Sequence, residues 1–213
     1  MVQINDPNLL RSLIQEHKLQ DIFSFDLEQC AYVVRYDENE LICHAGDFSS
    51  TLMILVEGEC IAYDINKVGK IHCELHYHGL NILGLVSTLW NKPIINDIKT
   101  ITPCTFVCIR IDKNWNNLHD DVKFLNYATL YLADHIRKSA GHFEQLSTRL
   151  ASFILEMQHD SVFSYNLTLC ADILGTSHRH LLRTLRDFCN LGILRHDGKG
   201  IYTILNADLL REQ

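Results

Sequence analysis

Along this chain the spacing of apolar residues changes twice. As far as about Ile111 the apolar residues come in short runs broken by turn residues. An amphipathic stretch, Asn8 to His17, predicts an opening helix. Ala31 to Arg35, Thr51 to Val56 (closed by Glu57-Gly58), Cys60 to Tyr63, Lys70 to Tyr77, Ile98 to Ile101 and Thr105 to Ile111 each read as a strand, with a turn at Asn66 to Gly69. Many short strands at close spacing point to an all-β barrel or jelly roll.

The period then lengthens. From Trp115 to Gly141 the pattern reads as one long helix. Val122, Leu125, Thr129, Leu132, Ile136 and Ser139 recur at alternating steps of three and four, and the register runs on through Phe143, Leu146 and Leu150. A narrow apolar stripe of that kind is the seam of a two-helix dimer. A helix lying on its own barrel is the competing reading.

From Gln145 onward the elements are short. Arg149 to Leu155 is an apolar helix, Thr168 to Leu174 a second and Ser177 to Asn190 a third, ended by Gly192. Ile193 to Arg195 and Gly200 to Ile204 read as strands of a hairpin turning at His196-Asp-Gly-Lys199. The fold class expected is α+β. Its parts are a β jelly roll over 1–114, a dimerisation helix over 115–144 and a winged helix-turn-helix over 145–213.

The helix-turn-helix reading rests on several residue types in order. Thr168 is placed to cap the first helix and Ala171 is small where two helices cross. Gly175 supplies the positive φ of a tight turn. Ser177 caps the second helix and offers a hydroxyl to a phosphate. Leu181, Leu182 and Leu185 turn inward, which leaves His178, Arg179 and Arg183 on the side that would meet a major groove. A guanidinium there can bond guanine O6 and N7 together.

The formal charge of -7 speaks weakly against nucleic acid, but the distribution is uneven. Arg179, Arg183, Arg186, Arg195 and Lys199 outnumber Asp187 and Asp197 in the window 177–199, and the acidic excess lies earlier. A basic patch on an acidic body suits a DNA reader joined to a sensor. Neither a secretory leader nor an apolar run long enough for a membrane span is present, so a cytoplasmic location is expected.

With these residues in hand, the chain resembles the Crp/Fnr superfamily of bacterial regulators over nearly its whole length. Ser177-His-Arg-His-Leu-Leu182, Leu150-Ala-Ser-Phe-Ile-Leu155 and Gly198-Lys-Gly-Ile-Tyr202 look most like the YeiL branch. The resemblance implies a cyclic-nucleotide-binding-like barrel and a homodimer reading a near-palindromic promoter site in double-stranded DNA. It also implies activation through RNA polymerase. His178, Arg179 and Arg183 match base-reading positions. Thr168 and Ser177 match phosphate-touching ones, and Thr176 lies in the same DNA-facing stretch.

Members that bind cyclic AMP carry a Gly-Glu pair and, further on, an arginine followed by serine or threonine. Here Gly84 is followed by Leu85, and the second pair is Ile95-Asn96. Both charge partners are missing, and a phosphate anion buried without a cation is costly. Cyclic AMP is therefore not expected to bind in the usual way, and no cofactor is assigned.

His72, Glu74, His76 and His78 alternate on one strand and could hold zinc or nickel, or sense pH. A polar outward face explains them as well. The eight cysteines (Cys30, Cys43, Cys60, Cys73, Cys104, Cys108, Cys170 and Cys189) include no C-x-x-C pair, and Met1 to Gln29 contain none. Core filling is their expected role; a redox- or metal-responsive sensor is the alternative. No catalytic motif appears, and a cupin-type metal enzyme would leave both the seam and the wing unexplained.

Overall fold

A computed structural model of the chain describes residues 1–65, 71–140 and 145–213; the side chains of 71–72 and 138–140 are outside that description. The chain falls into two compact units, one from Met1–Ile65 with Glu74–His135, the other mainly Ile136–Gln213. The turn expected at Asn66 to Gly69, and Phe143 of the expected seam, lie outside the described residues.

The first unit holds β1 (Val2–Ile4), α1 (Pro7–Glu16), β2 (Ala31–Tyr36), β3 (Leu41–Cys43), β4 (Thr51–Glu57), β5 (Glu59–Ile65), β6 (Ile71–His78), β7 (Asn81–Leu83), α2 (Leu85–Trp90), β8 (Asp97–Thr100), β9 (Cys104–Arg110) and α3 (Trp115–His119). The strands form two sheets, ordered β1-β2-β9-β4-β7 and β3-β8-β5-β6. Every pairing described between these strands is antiparallel.

The alternation of side chains explains why Thr51 to Val56 is almost wholly apolar. Leu52, Ile54 and Val56 of β4, with Val107 and Ile109 of β9, face a core completed by Leu10, Leu13 and Ile14 of α1. Leu55, Phe106, Cys104 and Cys108 face the other way, against Cys60, Ala62 and Ile98 of the second sheet. Successive strand residues point to opposite faces, so a sheet buried on both needs a continuous apolar run. The jelly roll is thus filled by side chains, and three of its cysteines serve as that filling.

The long helix expected from Trp115 to Gly141 is broken. α3 ends at His119, and α4 runs Val122–Ala140. Asp121, between them, is 6% exposed and accepts hydrogen bonds from Ser24 N (2.6 Å), Ser24 Oγ (2.8 Å), Lys123 N (2.9 Å) and Phe124 N (3.3 Å). Its own carbonyl takes the first helical bond, from Leu125 N at 2.9 Å. That is an N-cap, satisfying donors the helix cannot satisfy itself.

α4 carries two apolar faces. Phe124 and Ala128 are buried in the barrel's core, with Tyr127 and Tyr131 packed beside them. Tyr131 donates to Asn81 Oδ1 at 2.9 Å and accepts from Ile82 N at 3.2 Å. The expected seam occupies a neighbouring face. Val122 and Ile136 are 68% and 73% exposed, Thr129 is exposed, and Leu125 and Leu132 are half-buried against the barrel. The helix therefore does lie on its own barrel, and of the stripe Val122, Thr129 and Ile136 remain exposed.

The register that reaches Leu146 and Leu150 does not make them part of α4. Leu146 and Leu150 belong to a separate helix, α5 (Leu146–Met157), which begins at an extended Gln145. Both leucines are buried in the core of the second unit. That unit adds β10 (Val162–Ser164), α6 (Leu167–Ile173), α7 (His178–Asn190), β11 (Leu194–Gly198), β12 (Ile201–Ile204) and α8 (Ala207–Arg211). Its small sheet is ordered β10-β12-β11.

Two further expectations change here. Thr168 does not cap α6: Asn166 does, accepting from Thr168 N at 3.0 Å and Leu169 N at 3.2 Å. The hairpin turns one step later than Asp197-Gly198. Gly198 pairs with Ile201, so Lys199 and Gly200 form the turn, and Gly200 holds φ +74. A register shift between His196 and Gly198 takes up Asp197 within the strand.

Candidate nucleic-acid interface

α6 and α7 form the helix-turn-helix, and local chemistry sets both ends of the turn. Gly175 has φ +58, a region that side-chain-bearing residues enter at a cost of about 1 kcal/mol or more. Thr176 N bonds back to Ala171 O at 2.9 Å, and Ala171 is 2% exposed at the helix crossing. Ser177 caps α7, its Oγ accepting from His180 N at 3.2 Å.

α7 has one buried face and one open face. Leu181, Thr184, Leu185 and Phe188 are buried, and Leu182 is half-buried. His178, Arg179, His180, Arg183, Arg186 and Asp187 are exposed. At about 100° per residue, Arg179, Arg183 and Arg186 share one strip of that open face. Arg186, counted in the basic window but not among the groove-facing residues, thus shares that strip, and its spacing of seven from Arg179 was the available signal.

The wing tells the cations apart. Arg195 is engaged within it: its Nε meets Asp197 Oδ1 at 2.6 Å, and Thr203 Oγ1 also donates to Asp197. Among the described residues Arg179, Arg183, Arg186 and Lys199 have no ion pair, so their charge remains available to an external anion. Thr168, freed from capping, is exposed at the start of α6; Thr176 is half-buried and Ser177 exposed in the turn. Salt screens charges beyond about 8 Å at physiological ionic strength, so this local strip counts for more than the acidic total.

The positions named for an effector differ in exposure. Gly84, at φ +81, precedes α2. Leu85 is 3% exposed in the barrel's core, whereas Ile95 is 80% exposed and Asn96 half-buried. Neither Leu85 nor Ile95 offers a charge.

On β6, His76 Nε2 lies 2.9 Å from Glu59 Oε2, and its ring is 5.0 Å from that of His78. The side chain of His72 is outside the described residues. Among the described residues no group of three His, Cys, Asp or Glu converges as a metal site. No disulfide joins cysteines among the described residues. Burial pushes the thiols of Cys43 and Cys104 up to about 11 and those of Cys108 and Cys170 up to about 12. A thiolate is the reactive form, so these positions are chemically quiet. No helix among the described residues is long and apolar enough to cross a membrane.

Residues 148–213 match the model of the Crp-like helix-turn-helix domain. Over 202 residues, 92% of each chain, the sequence is 24% identical to the regulatory protein YeiL of Escherichia coli O157:H7. The fold is similar to that of FixK2 from Bradyrhizobium japonicum: TM-score 0.72, 18% identity, 85% of this chain and 96% of that one. It is also similar to TTHB099, a transcriptional regulator of the CRP family from Thermus thermophilus. There the TM-score is 0.65 and the identity 16%, over 84% of this chain and 95% of that one.

Proposed function

We propose, from a chain of Crp/Fnr regulator type whose relatives are transcription regulators rather than enzymes, that it reads a near-palindromic promoter site as a cytoplasmic homodimer. Residues 1–114 serve as the sensor, 115–144 as the dimerisation segment and 145–213 as the DNA-binding domain. Two copies of α4 pair along Val122, Leu125, Thr129, Leu132 and Ile136. Two copies of α7 then enter successive major grooves about 34 Å apart.

One observation carries this reading: Arg179, Arg183 and Arg186 line an exposed strip of a serine-capped helix, with no acidic partner among the described residues. His178, Arg179 and Arg183 read bases. Thr168, Thr176 and Ser177 hold phosphates, which fixes register. Activation proceeds by contact with RNA polymerase.

The test uses duplex selected from a random pool by the purified chain. Arg179→Ala weakens specific binding by roughly 1–3 kcal/mol and relaxes the base preference at one position per half-site. An unaltered preference removes Arg179 as a reader, and no salt-sensitive binding to any duplex removes the function.

Regulation does not depend on cyclic AMP. Leu85 is committed to the core and Ile95 supplies no cation, so an anionic cyclic phosphate lacks the partners it needs. Calorimetric titration with cyclic AMP gives no heat; micromolar binding would overturn this part.

A further inference from the structure

We infer that Arg149 is a positioning residue for DNA reading, a peg from α5 that sets the turn between α6 and α7; this rests on the DNA-binding function proposed above. Arg149 Nη1 donates to Leu174 O at 2.6 Å. Leu174 is the C-cap of α6, directly before Gly175, and its carbonyl is one that the helix cannot satisfy internally. A permanently charged donor at a helix C-terminus is favoured by the hydrogen bond and by the helix dipole together.

The turn has few other tethers. Gly175 N to Asp172 O, Thr176 N to Ala171 O, Thr176 Oγ1 with His180 Nδ1, and His180 N to Ser177 Oγ are hydrogen bonds within the motif. Each of these holds one helix end. Arg149 brings in a fixed point from a third helix, 25 residues away in sequence. α5 is itself anchored in the unit's core by Leu150, Ala151, Phe153 and Ile154.

Stability alone does not account for an arginine here. Its Nε is buried with no hydrogen-bond partner among the described residues, which costs free energy. A methionine would fill the space of the stem without that penalty. What arginine adds is the bond to Leu174 O, placed where a small change in backbone angle swings Arg179 and Arg183 relative to the groove.

The experiment measures binding of the full chain to its selected palindromic duplex and to a random-sequence duplex of equal length, across salt. Arg149→Met lowers specific affinity about tenfold, the scale of one charge-assisted hydrogen bond. It leaves random-duplex affinity and the salt slope unchanged, because Arg149 touches no phosphate. Arg149→Lys, which keeps a charged donor, recovers at least part of the specific affinity. Amide exchange at Thr176 quickens in Arg149→Met.

Three results overturn the peg. One is unchanged specific affinity in Arg149→Met while the wild type binds normally. Another is a salt slope reduced by about one, which marks a phosphate contact instead. The third is faster Thr176 exchange with no change in specificity. Should Arg149→Met fail to fold, Arg149→Lys decides: affinity within about threefold of wild type supports the peg, and a folded lysine variant that has lost about tenfold or more refutes it. A wild type that binds no duplex refutes the DNA-binding function itself, a separate outcome.

Discussion

Glutamate in place of Ile136 is expected to turn the proposed dimer into monomers and to weaken binding to the proposed palindromic site by roughly 10²–10⁴-fold, the advantage that linked half-site binding confers. Ile136 is 73% exposed in the single chain, so the substitution should leave the protomer's own packing largely alone. In the proposed dimer the two copies of the seam face one another across a two-fold axis, and a carboxylate there would be desolvated without a partner.

Leu132 is a poorer choice for this test, because it is half-buried against its own barrel. A charge there would disturb fold and interface together. Leu130 is the useful control. It is equally exposed, at 73%, but lies on a different side of α4 from the seam. Sedimentation velocity should show monomers for Ile136→Glu and dimers for Leu130→Glu. Were the two to exchange behaviour, or Ile136→Glu to sediment as wild type, the seam would be misplaced.

Asp121→Ala carries the largest expected cost in stability, about 2–4 kcal/mol. The carboxylate takes up two donors of Ser24 and two backbone donors of α4. Alanine leaves all four to find water in a site that is mostly closed to it. Differential scanning calorimetry should show the first unit melting roughly 5–10 °C lower. A shift of less than about a degree or two would show that the cap is dispensable.

Asp121 also carries a pH signature. Burial pushes its carboxyl up, but the bonds from Ser24, Phe124 and Lys123 outweigh this and hold it below the usual aspartate range. A folded-state value below the unfolded one stabilises the fold above the unfolded value, about 3.9, and that contribution is lost as the pH falls through the folded value. Acid unfolding of the wild type should therefore steepen below about pH 4. Asp121→Asn, which cannot titrate, should flatten that part of the curve while remaining less stable at neutral pH. Identical acid limbs in the two proteins would count against the assignment.

Where the governing contact lies within a few residues, sequence and structure agree. Gly175, Ser177 and the alternation of cationic and apolar positions in α7 are local, so the open and buried faces of that helix could be read directly. The strands of the jelly roll were legible for the same reason, apart from the short β1, β3 and β7, which hold too few residues to show a period; β10 of the second unit escaped notice likewise. The hairpin was legible but its turn was not. Asp-Gly and Lys-Gly both suit a turn, and pairing of Gly198 with Ile201 decides between them.

Distant partners settled the rest. Asp121 at the α3–α4 break is held by Ser24, 97 residues away, as well as by its local capping bonds, and a heptad pattern crossing that point does not show it. Leu146 and Leu150 fit the seam's spacing, yet a core closed by Phe163, Phe188 and Tyr202 takes them. Arg149 carries no local mark of a special role, and only folding sets it against Leu174 O. By itself the chain determined most of its longer elements, their polar and apolar faces and the cationic character of α7, because these follow from backbone periodicity and side-chain chemistry at short range. Only tertiary structure decided which carbonyl, core or solvent each face would meet, because those partners are brought together by packing across long stretches of chain.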